Sequence, residues 1–188
     1  MQFDDVLRTR RSHKQFSGAP MERELLETLV ELATWAPNHK VSEPWRFTIV
    51  TPPHFPLLLD AMTAALGPEA LTEKGQAKIA KGKAILLGAG GIIALRQVLE
   101  PGDAVRQRED YAACACAMQN MQLAAWARGW GSFWTTSEVW VGPRLAEFWH
   151  VGPEQTLVGA LVFGRPALTM PAIRRLAPQA VTTWVGQP

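Results

Sequence analysis

The chain has 188 residues, 47% of them hydrophobic, enough to bury a substantial core, and it reads as one domain, 1–188. Lys and Arg number 19 against 17 Asp and Glu, a net charge of +2. That balance excludes broad attraction to nucleic acid or to a membrane surface, so each basic cluster needs a local explanation. The start, Met1-Gln2-Phe3-Asp4-Asp5, lacks the basic and apolar regions of a secretory signal, and the longest apolar run, Ala84 to Leu95, is too short to span a bilayer as a helix. A cytoplasmic protein is expected.

Asp4 or Asp5 is suited to cap a first helix carrying Val6 and Leu7, which sets Arg10-Arg11-Ser12-His13-Lys14-Gln15-Phe16 at or beyond its end. Two arginines and a serine offer a phosphate planar bidentate donors and a hydroxyl. Lys14 adds a positive charge for a more distant electron-rich ring, so the pattern suggests a phosphate-bearing aromatic cofactor. After Pro20, the positions Met21, Leu25, Leu26, Leu29 and Ala33 form a helical stripe that Pro37 ends, leaving Asn38 to Pro44 as a loop.

Phe47 to Val50 reads as a strand, and Ala84 to Leu95 contains another, interrupted by Gly88, Gly90 and Gly91. Those glycines do not make a dinucleotide-binding turn, because Ile93 stands where the third glycine belongs and no capped helix follows. From Asp103 to Arg128 the sequence reads as a long helix, apolar all round between Ala112 and Met118, which must be central and buried. Cys114 and Cys116 turn to different faces of it, so neither a disulfide nor a metal site is suggested, and both are expected as small buried side chains.

Gly129 ends that helix, Gly131 to Thr136 resumes as a strand, and Leu157 to Phe163 supplies one more, closed by Gly164-Arg165-Pro166. The eight tryptophans beside a single tyrosine belong in a core or a subunit interface, with one or two free to wall a flat ligand. The tail, 167–188, is rich in proline and threonine and is expected to wrap a partner subunit. The elements add up to an α+β layered domain, with helices around a small mixed sheet.

Three motifs occur in order: Arg10-Arg11-Ser12-x-Lys14-x-Phe16; Ala36-Pro37-Asn38-His39 with Pro44-Trp45-Arg46-Phe47; and Gly129-Trp130-Gly131-Ser132-x-Trp134. Together, from about residue 6 through Pro166, they resemble the nitroreductase family, and more narrowly its short, minimal bacterial subgroup. The resemblance implies a mainly antiparallel sheet surrounded by helices, in an intertwined homodimer with FMN at the interface. It implies that Arg10, Arg11 and Ser12 bind the phosphate and ribityl chain. Lys14 would approach the flavin N1/O2 edge, where negative charge builds on reduction. Trp35, His39, Trp134, Thr135 and Thr136 match further cofactor contacts, His39 reaching across the dimer. His13, His54 and His150 receive no role.

The activity implied is transfer of a hydride from NADH or NADPH to FMN and on to a flat, electron-poor acceptor such as a nitroaromatic or quinone, with ping-pong kinetics. Other chemistries on the same scaffold, a dehalogenase or a flavin-degrading enzyme, and a non-enzymatic flavin-binding protein remain open. The sequence departs from many larger relatives at Ser42-Glu43, where those carry Asn and Gln. Relatives also place a late basic residue on the phosphate; Arg165 is expected there from its strand-end position, with Arg174 and Arg175 behind it.

Overall fold

The computed structural model describes residues 1–171 and 173–186. Helix α1 spans Phe3–Thr9. Gln2, not an aspartate, is its N-cap, and Asp4 and Asp5 lie in the first turn, where the positive end of the helix dipole favours them. Helix α2 (Arg23–Thr34) buries Leu26, Leu29 and Ala33, as the apolar stripe requires, and ends before Pro37. Strand β1 (Trp45–Val50) follows.

Helices α3 (Phe55–Leu66) and α4 (Glu73–Gly88) come next, the latter capped by Thr72, whose hydroxyl accepts from Gly75 N at 3.1 Å. The apolar run from Ala84 to Leu95 is therefore divided: its first part closes α4 and its second opens strand β2 (Gly91–Val98). Asp103 caps the long helix α5 (Ala104–Ala127), accepting from Arg106 N at 2.8 Å. Strand β3 (Gly131–Thr135), the single-turn helix α6 (Glu138–Val141) and strand β4 (Gln155–Gly164) complete the frame.

The four strands pair antiparallel in the order β1-β2-β4-β3. Parallel pairing enters through the bridge between Ser12 and Ser132. Because successive side chains of a strand face opposite ways, the two central strands feed two cores. Ile93, Leu95, Leu161 and Phe163 pack with α2 and α5, while Ile92, Ala94, Ala160 and Val162 pack with α3, α4 and α6. The sheet is the middle of three layers, and α5 is the helix that its first face needs most.

Cys114 on α5 is fully buried, and burial together with the Asp110 charge pushes its thiol pKa up to about 12. Cys116 is exposed, which corrects the expectation that both cysteines are buried. The tryptophans divide as well. Trp45, Trp130, Trp140 and Trp149 are core residues, whereas Trp35 and Trp184 are 76% and 70% exposed.

Between Leu168 and Val185 the tail leaves Met170, Ile173, Leu176 and Val181 uncovered too, an apolar run with nothing over it in the single chain. Ala172, Gln187 and Pro188 of that tail lie outside the described residues. No described helix is long and apolar enough to cross a membrane.

The glycines between α4 and β2 serve packing. A Cβ at Gly90 would lie 2.6 Å from the Ala19 carbonyl oxygen and 2.8 Å from the Trp130 ring, so glycine alone lets the segment before α2 cross here. Gly90→Ala should cost about 1–3 kcal/mol of stability in urea denaturation. An unchanged midpoint would show that the crossing relaxes freely.

Candidate functional site

The N-terminal motif folds back onto the end of α5 and the start of β3. His13 N donates to Ser132 O at 3.0 Å, which pins the segment, and the His13 ring stacks on Trp126 at 5.4 Å between centroids. His13 is only 3% exposed; burial lowers its pKa, and its Nε2 is buried without a hydrogen-bond partner. The residue given no role by its sequence context is thus the post that orients its neighbours. Arg10, Arg11, Ser12 and Lys14 flank it.

Arg10 caps the C-terminus of α1 and is half-buried. Burial pushes its guanidinium pKa below the ordinary value, and repulsion from Arg175 and then Arg11 pushes it the same way. The positive charges of Arg175 and Arg11 thus both act on Arg10, and no carboxylate pairs with any of the three among the described ion pairs. Arg11 is oriented by donating to Arg8 O at 2.7 Å, Arg10 O at 2.8 Å and Pro171 O at 3.3 Å. An anion carrying more than one negative charge would relieve the repulsion, and planar guanidinium groups with the nearby Ser12 hydroxyl are a donor set that fits phosphate.

Arg165 is differently employed. Its guanidinium lies over the Trp130 ring at 4.3 Å and donates to Arg128 O and Gly129 O, both at 3.2 Å. It clamps the α5–β3 turn, and Arg175 is the late arginine whose charge acts on Arg10.

Lys14 is exposed and stands over Phe133, 5.8 Å from the ring centroid. It lines two adjoining cavities. One, of about 270 Å³, includes Ser12, His13, Leu168 and Met170; the other, of about 210 Å³, includes Lys81, Phe133, Thr135 and Ser137. Thr135 is half-buried at the end of β3, its hydroxyl accepting from Ser137 N at 3.3 Å, and Thr136 is exposed beside it. Trp134 points to the opposite face, packed on the α2–α5 core against Gly159, with its Nε1 buried and unpartnered.

The second motif sits elsewhere. Lys40, Val41 and Glu43 all take positive φ, at 53°, 53° and 44°, a strained path for side-chain-bearing residues. Four groups hold it. Asn38 Oδ1 accepts from Glu43 N at 3.0 Å, and Ser42 Oγ donates to the buried Asp110 at 2.6 Å. Arg106 Nε donates to the other Asp110 oxygen at 3.0 Å, and His39 Nδ1 lies 2.8 Å from Glu109 Oε2. Ser42, one of the two departures, is thus spent on anchoring the loop. Trp35 stands out from the end of α2, Nε1 donating to Glu31 at 2.5 Å. His39 is not brought beside Lys14 in the chain: its partner Glu109 and Trp126, which stacks on His13, are about 25 Å apart along α5 at the α-helical rise.

The sequence model of the Nitroreductase family matches residues 7–165. "Putative NAD(P)H nitroreductase YfhC" of Bacillus subtilis (strain 168) is 31% identical over 136 residues, 72% of this chain and 69% of that protein. The crystal structure of a nitroreductase-like family protein from Bacillus cereus superposes with a TM-score of 0.88 at 28% identity, covering 100% of this chain and 97% of the other. The FMN and NADPH-dependent nitroreductase NfnB from Sphigopyxis sp. strain HMH shares the fold at a TM-score of 0.80 and 20% identity, each chain fully covered.

Inorganic phosphate should raise the thermal midpoint of the protein by relieving the arginine repulsion. Arg175→Gln should itself be tolerated and should abolish most of that phosphate effect; Arg165→Gln should keep it while lowering the midpoint. The reverse pattern would move the anion site to Arg165.

Proposed function

Because the chain belongs to the Nitroreductase family, we propose that it is an FMN-dependent oxidoreductase using NADH or NADPH to reduce flat, electron-poor acceptors, nitroaromatics or quinones, as a homodimer. The observation that carries this reading is the return of the tail to the N-terminal motif: Arg11 donates to Pro171 O, the Arg175 charge acts on Arg10, and no described ion pair gives these arginines a carboxylate, beside Ser12 and two residues short of Lys14. Bound FMN would supply the redox chemistry, taking a hydride from the nicotinamide and passing it to the acceptor in ping-pong order. The protein's task is then to bind, orient and set charge.

In this reading Arg10, Arg11, Arg175 and Ser12 take the phosphate, with Arg175 in the place expected for Arg165. Lys14 supplies positive charge where negative charge builds at the N1/O2 edge, a role that needs the ammonium close and partly shielded from water. Thr135 and Thr136 line the end of the ring. Trp134 supports them from the core.

Trp35 and His39 belong, in the same reading, to the partner's half of the site. For His39 the separation along α5 supports this, since one ring system cannot touch the ends of a helical span of about 25 Å. The exposed Trp35, Val41 and tail residues support it too, because a second copy would cover apolar surface that a monomer leaves wet.

The test is complementation. Lys14→Met and His39→Ala should each lower NADPH-driven nitroreduction, by about tenfold or more for Lys14→Met, the scale of removing a charge-stabilising donor. A mixed dimer carrying one change on each chain should recover about half of the parental rate, since shared sites concentrate both defects in one site and leave the other whole. No recovery in an isolated mixed dimer would mean that each site draws Lys14 and His39 from the same chain.

A further inference from the structure

Two consecutive carboxylates of α5 grip the loop that carries His39. Asp110 is buried and accepts from Ser42 Oγ at 2.6 Å, while Glu109, half-buried, places Oε2 2.8 Å from His39 Nδ1. The backbone around the histidine is held independently of its ring: Ser42 N donates to His39 O at 3.1 Å, and Glu43 N donates to Asn38 Oδ1 at 3.0 Å. The loop thus has anchors of its own, so the Glu109 contact acts chiefly on the imidazole.

A pair this open to water, with side chains 47% and 40% exposed, adds little to stability. Its effect on the ring is larger. A carboxylate oxygen only accepts, so Nδ1 carries the hydrogen that is donated to Glu109. In the neutral imidazole that leaves the lone pair on Nε2, which takes part in no hydrogen bond among the described residues. Without the carboxylate, either nitrogen could hold the proton.

We propose that Glu109 is a positioning residue that fixes His39 with its proton on Nδ1, so that His39 offers the flavin an acceptor, Nε2, for an N–H or O–H of the cofactor and not a donor for its carbonyl or phosphate oxygens. The proposal rests on the flavin reading given above, in which His39 serves the partner's half of the dimer. It also supplies what the other groups of that reading lack. Guanidinium and ammonium groups only donate, whereas a flavin carries a ring imide N–H and ribityl hydroxyls that need acceptors.

The experiment follows the His39 ring nitrogens by long-range proton–nitrogen NMR of the FMN-loaded protein at mildly alkaline pH, with His39→Ala identifying the signal among the four histidines. The parent should show a protonated Nδ1 and a bare Nε2. Glu109→Leu, which keeps bulk and helix propensity, should show both neutral forms and bind FMN about fivefold more weakly, the scale of one net hydrogen bond. The thermal midpoint of the FMN-free protein should barely move. In a His39→Ala background, Glu109→Leu should weaken FMN binding no further, because Glu109 acts through that ring.

A bare Nδ1 in the parent, an imidazolium with both nitrogens protonated, or undiminished FMN affinity in Glu109→Leu overturns the proposal. So does a large fall in the FMN-free midpoint, which would make Glu109 a structural anchor, or an equal loss of affinity in the His39→Ala background, which would give Glu109 a cofactor contact of its own. If the protein takes up no FMN, the flavin reading fails and this proposal fails with it, whereas FMN uptake with the proton on Nε2 overturns the role of Glu109 alone.

Discussion

The length of α5 governs how this chain can work. Buried between α2 and the sheet, the helix holds His39 through Glu109 near one end and the N-terminal motif through Trp126 near the other. A rigid helix of this length cannot bend to bring both groups onto one ligand. The two halves of the motif set are therefore useful together only if a second copy supplies one of them. The uncovered Trp35 and the apolar tail are surfaces that such a copy would need. Fold, exposure and site geometry thus lead to the same dimer proposal from independent directions.

Charge distribution does the rest. The net charge of the chain is small, yet positive groups gather along one path, from Arg175, Arg10 and Arg11 past Lys14 to Lys81. Concentrated like charge is costly in an unliganded protein, and it lasts where bound anions return the cost. The path has two kinds of donor. Planar guanidiniums stand at one end, suited to a phosphate, and compact ammoniums at the other, suited to a charge that appears during reaction.

Much of the scaffold could be read from the sequence because the signals were local. The stripe from Leu26 to Ala33 and the stop at Pro37 define α2, and the Asp103 cap and Gly129 bracket α5. The divided run at Ala84 to Leu95 was ambiguous for a physical reason: a short continuous apolar stretch suits a buried helix end or a buried strand equally. With α4 unrecognised, the face carrying Lys81 could not be seen. Arg165 was chosen by strand-end position, but a strand end does not fix where a long side chain turns, and the Trp130 ring captured it. Arg175 lies in a stretch without periodicity, so only tertiary structure brings it to Arg10. The part of the site that the proposed dimer would draw from a second chain has no local signal at all.

The central claim is that these residues hold a flavin that nicotinamide can reduce. An anaerobic titration of the FMN-loaded protein with NADPH and with NADH, followed through the visible bands of oxidised flavin, tests it most directly. Stoichiometric bleaching by at least one donor is the expected result. Tight FMN binding with bands that neither donor bleaches would contradict it, leaving the arginine cluster as a phosphate site for some other flavin chemistry.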